Sequence, residues 1–211
     1  MKDLRLMTVE ELAAVTASNA PAPGGGSISA LAGALAAGLA SMVASLSQGK
    51  KYEAVRPRME ELVKDLEPLR IQLLKAMQDD TEAFNLYMQA LTMPKTTEQE
   101  QLARKAAMQE GLKAAAQTPL AVAQAIVPVF DILEELIRTG NPNAVTDALV
   151  GTMMARSGIL GALFNVKVNL ASIQDADFVQ ALEGKIRALE NQALEGERRV
   201  FALSSFSDHV L

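Results

Sequence analysis

The chain has 211 residues, a formal net charge of −5 and no cysteine; 49% of its residues are hydrophobic and 4% are aromatic. This length suits one domain with a sizeable core, the acidic balance lacks the basic excess typical of nucleic-acid binders, and the missing cysteine excludes disulfides, thiolate metal sites and a cysteine nucleophile. A core of Ala, Leu, Val, Ile and Met favours packed helices over a sheet. The N-terminal residues lack an apolar signal core, which predicts a cytoplasmic protein.

A capping box at Thr8–Glu11 predicts a short first helix, and the glycine-rich segment Pro21–Ser27 (PAPGGGS) follows it. Three successive glycines are useful where the chain takes a positive φ or where another group approaches the backbone closely. Ser27 is a natural helix N-cap, so we predict that a helix begins there. The segment is either a tight turn into a closely packed helix or a loop whose backbone N–H groups bind an anion.

The helix predicted after this segment is free of charge, because residues 12–49 contain no Asp, Glu, Lys or Arg. Its stretch Ile28–Leu46 is long enough to span a membrane, but it consists mostly of Ala, Gly and Ser, which are weak insertion signals. Small residues recur every four positions, a spacing that lets helix backbones approach closely. We therefore predict a central buried helix that also suits a subunit interface, and no membrane partner.

A long helix is predicted from Arg56 to Leu91, with a kink at Pro68. Its apolar stripe comprises Met59, Leu62, Leu66, Leu69, Leu73, Met77, Phe84, Met88 and Leu91. Asp80 falls inside this stripe, whereas Asp79 falls outside it. A carboxylate on a core-facing stripe is costly unless it is paired or its pKa rises. Asp80 is therefore either a functional acid or base, or a structural cap or buried ion-pair partner.

Capping signals and helix breakers delimit the remaining elements. A capping pattern at Thr97 opens a helix that Pro119 and Pro128 bend or divide. Residues 139–142 (TGNP) stop it, a further helix covers about residues 143–173, and a last one begins after Asp175. No segment alternates as a strand does, so residues 1–211 are predicted to form one all-α, multihelical bundle. Helices this long and thin need a partner to cover them, which favours a homodimer.

Two polar side chains, Asp147 and Asn165, lie five turns apart on the helix predicted over residues 143–173, and Asn169 lies just beyond. Small residues mark the line between them, namely Gly151, Gly158 and Ala162. This line is either the floor of a smooth groove with polar groups at both ends or a surface on which another helix packs closely.

The only histidine is His209, three residues from the C-terminus, where chains are usually mobile. We expect no catalytic or metal-binding role for it, so zinc sites and Ser-His-Asp triads are disfavoured. The three glycines are not followed by the Lys-Ser/Thr of a nucleotide-binding P-loop. Acid–base chemistry therefore falls to carboxylates, to lysines such as Lys95, or to bound water.

Six short motifs occur in an order that resembles the formimidoyltetrahydrofolate cyclodeaminase / methenyltetrahydrofolate cyclohydrolase family. They are Pro21–Ser27, Asp80–Phe84 (DTEAF), Met93–Lys95 (MPK), Gln109–Leu112 (QEGL), Gly140–Asn141 with Thr146–Asp147, and Phe164–Leu170 (FNVKVNL). Each motif alone is weak, but six in order are specific. The resemblance extends from the first helix to about Asp177, and the chain looks like the cyclodeaminase half of the bifunctional formiminotransferase-cyclodeaminase.

This resemblance implies an intertwined homodimer with a folate-binding cleft near the subunit interface. It implies the cyclodeaminase reaction, in which N10 of tetrahydrofolate attacks the formimino carbon on N5 and ammonia leaves to give 5,10-methenyltetrahydrofolate. The cyclohydrolase alternative adds water to the same carbon and opens the ring to 10-formyltetrahydrofolate. Both reactions need an acid and a base, and neither needs a metal or a cofactor beyond the folate, with or without a polyglutamate tail.

On this basis, Asp80 and Asp147 are the acid–base candidates. Lys95, which we count with the catalytic residues, and Asn141, Asn165 and Asn169 would orient the pterin or stabilise the intermediate. Gly24, Gly25, Gly26 and Ser27 would hold the pterin or the glutamate tail through backbone N–H groups.

Two positions depart from the family pattern. Ser47 stands where many relatives have Thr, and Arg156 stands where a relative has an acidic residue; if that acid transfers protons, deaminase activity is in doubt here. A third hypothesis is a non-catalytic helical folate-binding or scaffold dimer. The core-facing Asp80 argues against it, because a scaffold gains little from such a carboxylate.

Overall fold

The computed structural model describes residues 2–206, and every regular element within them is helical. Seven α-helices follow one another: α1 (Val9–Thr16), α2 (Gly25–Leu46), α3 (Arg56–Thr92), α4 (Glu98–Ile126), α5 (Val129–Thr139), α6 (Val145–Leu170) and α7 (Ala176–Phe201). The predicted all-α bundle is confirmed for these residues. His209 lies outside the described residues.

Side-chain caps mark three of the seven helix starts in the described part of the chain. Thr8 caps α1 and Thr97 caps α4, each in a complete capping box. The Asp175 side chain accepts from the backbone N–H of Phe178 and so caps α7. As predicted, α3 is one helix that runs through Pro68, and its kink there stays a prediction. Pro119 lies inside α4 and so does not divide it, whereas Pro128 separates α4 from α5.

Four helices form the core bundle, in which α2, α3, α4 and α6 are neighbours in that cyclic order. Adjacent helices in the ring are antiparallel: Gly26 near the start of α2 lies against Asp80 far along α3, and Gly25 lies against Asn165 near the end of α6. The remaining helices α5 and α7 pack against α6 and against each other. The core is aliphatic, with Phe130 as its largest fully buried side chain.

Small residues let α2 and α6 approach closely. A Cβ on Gly158 would lie 3.0 Å from the Ser29 carbonyl oxygen and 3.1 Å from the Gly33 nitrogen, and one on Gly33 would lie 2.4 Å from a methyl of Ile126. These contacts are closer than a side chain tolerates. The line of small residues on α6 is therefore filled by α2, and the groove-floor interpretation of Gly151, Gly158 and Ala162 is wrong.

The far end of the α3–α4 hairpin extends past the other core helices. The predicted apolar stripe of α3 is buried at Met59, Leu62, Leu66, Leu73 and Met77. Further along, Phe84 is only partly buried and Met88 is exposed. The stripe leaves the core here because α3 has passed the beginning of α2, so no central helix covers it.

One side of the α2–α6 pair is apolar and uncovered. We call it the open face, and it is formed by Leu35 and Met42 of α2 with Val150, Met153, Phe164 and Val168 of α6. Phe164 is 63% exposed and Val168 is 68% exposed. By length and composition, segments Gly25–Leu46 and Pro142–Leu170 could each cross a membrane, although 61% and 50% of their most apolar windows are buried. Central helices of soluble proteins pass the same test.

Candidate functional site

The first cluster of predicted residues lies where α2 begins. We call it the Asp80 site, and it comprises Gly25, Gly26 and Ser27 of α2, Asp80 of α3 and Asn165 of α6. The Ser27 Oγ donates to Asp80 Oδ2 at 2.9 Å. A Cβ on Gly26 would lie 2.1 Å from Asp80 Oδ1, and one on Gly25 would lie 3.0 Å from the Asn165 side-chain nitrogen.

These glycines allow side chains of other helices to approach the α2 backbone closely; they are not needed for unusual backbone angles. No glycine among residues 2–206 has a positive φ, and only the absence of a side chain at Gly26 lets the Asp80 carboxylate touch the first turn of α2. The N-cap of α2 is Gly24, and Ser27 lies inside the first turn. The prediction that Ser27 caps this helix is therefore wrong, because its hydroxyl is directed to α3.

Asp80 occupies the position at a helix N-terminus that favours an anion. The Ser27 side chain and backbone N–H both donate to it, which lowers its pKa, but burial of the carboxylate outweighs them and raises the pKa above the ordinary 3.8. Its neighbour Asp79 is paired with Lys75 at 2.7 Å instead. Asp80 is therefore a cap for α2 and also a carboxylate that retains its proton more readily than usual.

The side chains of the two asparagines of α6 donate hydrogen bonds to backbone carbonyls. Asn165 donates to the Gly161 carbonyl at 2.9 Å. Asn169 donates to the Asn165 carbonyl at 2.8 Å and to the Ala115 carbonyl of α4 at 3.1 Å. The Ala115 carbonyl needs this partner because Pro119, four residues on, has no N–H to offer it. Asn169 therefore has a structural role, as the alternative of close helix packing with satisfied Asn side chains predicted.

The second cluster lies at the other end of α2. We call it the Ser47 site: Ser47 and Asn141 are hydrogen-bonded there, and Asp147 follows along the chain in the first turn of α6. The Ser47 Oγ donates to the Val43 carbonyl at 2.7 Å and accepts from the Asn141 backbone N–H at 2.8 Å. The Asn141 side chain donates to the Leu46 carbonyl at 3.3 Å. Asp147 is partly buried in the first turn of α6.

Within one chain, the predicted residues do not form one site. The Asp80 and Ser47 sites are about 30 Å apart along α2, from its rise of 1.5 Å per residue. Lys95 is exposed in the α3–α4 loop, about 18 Å beyond Asp80 along α3. Surface grooves of about 600 Å³ between α3 and α4 and about 550 Å³ between α6 and α7 have none of Asp80, Lys95 or Asp147 in their lining. Among residues 2–206, no three His, Cys, Asp or Glu side chains cluster as metal ligands.

Thr81 belongs to the Asp80 site but was not predicted. It is 1% exposed, and its Oγ1 lies 3.3 Å from the Ser27 Oγ. A signal was present, since Thr81 follows Asp80 at the edge of the apolar stripe of α3. A polar residue there that becomes buried needs a hydrogen-bond partner.

The fold and the site define an all-helical protein that holds a desolvated carboxylate at a helix N-terminus. Residues 8–188 match the protein-family model described as formiminotransferase-cyclodeaminase. The chain belongs to this family, which confirms the resemblance drawn from its motifs.

Individual relatives support this assignment. The chain is 38% identical over 189 residues to a methenyltetrahydrofolate cyclohydrolase of Methylorubrum extorquens, covering 89% of each chain. It is 35% identical over 183 residues to the formimidoyltransferase-cyclodeaminase of Gallus gallus, of which it spans 34%. The structure of a formiminotetrahydrofolate cyclodeaminase from Thermotoga maritima superposes with a TM-score of 0.84 at 30% identity, covering 95% of this chain and 96% of the other.

The departure at Arg156 also has a structural setting. Its Nε lies 3.0 Å from a carboxylate oxygen of Glu197 on α7, although the N–H is not aligned for a hydrogen bond. Burial raises the pKa of Glu197 above its ordinary value, and Arg156 partly opposes this. Arg156 is therefore paired with α7 and is not part of the Asp80 site.

Proposed function

We propose that this protein is a folate one-carbon enzyme that works at the carbon between N5 and N10 of tetrahydrofolate. The observation that carries the proposal is the Asp80 carboxylate, which lies against the first turn of α2 and accepts from the Ser27 Oγ at 2.9 Å, in a chain of this family. Burial raises its pKa, which suits proton transfer. An acid–base catalyst works best when its pKa lies nearer the operating pH than that of a free carboxylate.

Both reactions need a group that accepts one proton and later donates it. In ring closure, Asp80 would accept the proton that N10 loses as it attacks the formimino carbon, and a protonated carboxyl would assist the departing ammonia. In ring opening, the same carboxylate would accept a proton from the attacking water, and its acid form would protonate the leaving nitrogen. Asp147 is the second candidate for these proton transfers, and Lys95 remains a candidate for orienting the folate.

A second copy of this chain would bring together the Asp80 site and the Ser47 site, which lie far apart within one copy. The open face is apolar along most of α2 and α6, with Leu35 47% and Phe164 63% exposed, and it is flanked by polar ends. A two-fold dimer is isologous, so two copies with their α2 helices antiparallel across this face would bring the Asp80 site of one near the Ser47 site of the other. This arrangement would close a folate cleft and exclude water from both carboxylates.

Two reactions fit this site, and each has a specific observation in its favour. Ring closure with loss of ammonia is favoured by the Thermotoga maritima cyclodeaminase, which matches over almost the whole of both chains. Ring opening by water is favoured by the Methylorubrum extorquens cyclohydrolase, which has the higher identity and nearly the same length. The sequence motifs are common to both activities; we keep ring closure as the first proposal and cyclohydrolase activity as the second.

One pair of assays tests the proposal. Purified protein is incubated with 5-formimidoyltetrahydrofolate to follow formation of the methenyl chromophore, and with 5,10-methenyltetrahydrofolate to follow its loss, each against an enzyme-free control. Turnover in either assay that falls at least about 100-fold in Asp80→Asn supports the proposal. No turnover in both assays and no folate binding would leave the helical scaffold as the better description.

The dimer is tested separately by sedimentation at several concentrations. Val168→Glu and Leu35→Glu place charges on the open face, and we expect each to produce monomers that retain helical circular dichroism. Leu102→Glu is the matched control, because Leu102 is 64% exposed at the far end of the α3–α4 hairpin. Unaltered dimers in both open-face variants, or monomers in the wild type, would refute the arrangement.

A further inference from the structure

The hydroxyl of Ser27 has more partners than it has protons. Its Oγ lies 3.0 Å from the Met77 carbonyl oxygen, 2.9 Å from Asp80 Oδ2 and 3.3 Å from Thr81 Oγ1. A serine hydroxyl donates once and accepts with its remaining lone pairs. The O–H group can therefore serve either the Met77 carbonyl or the Asp80 carboxylate, and not both at once.

Ser27 is also sealed from substrate and solvent. Its exposed fraction is 0% and that of Thr81 is 1%. A buried hydroxyl without a partner is costly, so the network must be satisfied in both proton states of Asp80. This excludes a direct substrate contact for the Ser27 side chain and leaves a role that acts through Asp80.

We infer that Ser27 is a positioning residue whose hydroxyl turns between Asp80 and the Met77 carbonyl as Asp80 loses and gains its proton. With Asp80 ionised, Ser27 donates to Oδ2 and accepts from the Thr81 hydroxyl. With Asp80 protonated, the carboxyl O–H donates to the Ser27 Oγ, and Ser27 donates to Met77. Ser27 keeps its own proton in both states, and the proton that Asp80 loses passes to substrate or solvent. Every donor in the network has an acceptor in each state.

Burial and the hydrogen bonds of Asp80, rather than charged neighbours, control whether it holds its proton. Residues 12–49, which include α2, and residues 114–130, which include the end of α4, contain no charged side chain. On α3, Lys75 and Asp79 are paired with each other, and Glu82 is exposed. The segment Leu4–Leu6 packs against α3, and its Arg5 is paired with Asp3. Helix α6 brings the neutral Asn165 to this place. The influences on the Asp80 pKa are accordingly burial and the two hydrogen bonds from Ser27.

This inference rests on the proposed function for its catalytic meaning, but its test does not. The Asp80 carboxyl carbon is titrated by ¹³C NMR in the free, full-length protein, with Asp80→Asn used for assignment. In Ser27→Ala, we expect the proton affinity of Asp80 to rise about tenfold, the usual effect of losing one hydrogen bond to a charged group. Thr81→Val, which removes a donor to Ser27 with little change in shape, should move the titration in the same direction by less.

The matched control is Ser29→Ala. Ser29 is another buried serine of α2, but its hydroxyl donates to the Gly25 carbonyl of its own helix at 2.6 Å, so the Asp80 titration should stay unchanged. The pH–rate profile should move to higher pH with the titration in Ser27→Ala and stay in place in Ser29→Ala.

The outcomes distinguish the Ser27 hydroxyl switch from the proposed catalytic role of Asp80. An Asp80 titration that is the same in wild type, Ser27→Ala and Thr81→Val would overturn the inference, whatever the activity. A moved titration together with full turnover in Asp80→Asn would retain the hydroxyl switch and remove Asp80 from catalysis. If Ser27→Ala fails to fold, Thr81→Val alone decides, because an unmoved titration in that variant contradicts the shared network.

Discussion

The two ends of α2 each bury a serine completely, and they use it differently. Ser27 and Ser47 are both 0% exposed. The hydroxyl of Ser27 reaches an ionisable group on another helix, whereas the hydroxyl of Ser47 joins the Val43 carbonyl and the Asn141 backbone N–H. Burial of a polar side chain therefore does not identify a chemical role. A titratable hydrogen-bond partner does indicate a chemical role, because only a titratable group can exchange a proton.

The largest effect is expected from removing the ionisable partner itself. Asp80→Asn keeps the shape and the hydrogen-bonding capacity of the side chain but cannot carry the proton, so turnover should fall at least about 100-fold. The measurement is kcat/KM in the assay in which the wild type is active. Asp79→Asn is the control, because Asp79 is paired with Lys75 at the surface, and equal losses in both variants would contradict the assignment.

Glycine-to-alanine substitutions compare the two ends directly. A Cβ at Gly26 would lie 2.1 Å from Asp80 Oδ1, and a Cβ at Gly140 would lie 2.5 Å from the Leu136 carbonyl oxygen and 2.9 Å from the Ser47 Oγ. Each variant should lose about 1–3 kcal/mol of unfolding free energy in urea. Gly26→Ala should also lose activity, by about tenfold or more, because it displaces the carboxylate. Gly140→Ala should lose less activity, because it leaves Asp80 in place. Equal activities of the two folded variants would show that Asp80 need not sit against α2.

Ser47→Ala tests the buried hydroxyl at the other end of α2. The substitution leaves the Asn141 backbone N–H without its acceptor, so the unfolding free energy should fall by about 1–3 kcal/mol. The pH–rate profile should keep its wild-type position, since no titratable group touches this hydroxyl. A displaced profile would mean that the Ser47 site takes part in proton transfer.

A smaller effect is expected where Asn169 compensates for Pro119. Asn169→Ala should cost about 1 kcal/mol of stability, because the Ala115 carbonyl loses its partner. In Pro119→Ala, residue 119 regains an N–H for that carbonyl, so Asn169→Ala should cost less in that background. A double-mutant cycle on unfolding free energies measures this coupling, and strictly additive costs would show that the two residues act independently.

The smallest effect concerns the pH dependence of stability, because Asp80 is only partly buried. Its pKa is raised in the folded state, so the folded protein binds more protons than the unfolded chain between the ordinary pKa of 3.8 and the raised value. Relative to Asp80→Asn, the wild type should lose unfolding free energy as the pH rises through that interval. Urea unfolding of both proteins across this range measures the difference, and a constant difference would mean that Asp80 has an ordinary pKa.

The sequence by itself determined the helices and singled out Asp80. Capping boxes at Thr8 and Thr97 and the period of the apolar stripes are encoded within a few residues, so they could be interpreted without the fold. The position of Asp80 on the core-facing stripe was visible for the same reason. Local signals left two outcomes open at Pro119, a bend or a division of the helix. Helix α4 continues there, and Asn169 of α6 gives the Ala115 carbonyl the hydrogen bond that Pro119 cannot donate.

Only the tertiary structure decided what these residues touch. Ser27 and Asp80 are 53 residues apart, and they meet because α2 and α3 pack antiparallel in one register, with Gly33 against Leu73 and Gly26 against Asp80. That register is a property of the packed bundle and has no signature in a short stretch of chain. The same packing filled the small-residue line of α6. It also left Asp147 about 27 Å along α6 from Asn165, which lies at the Asp80 site.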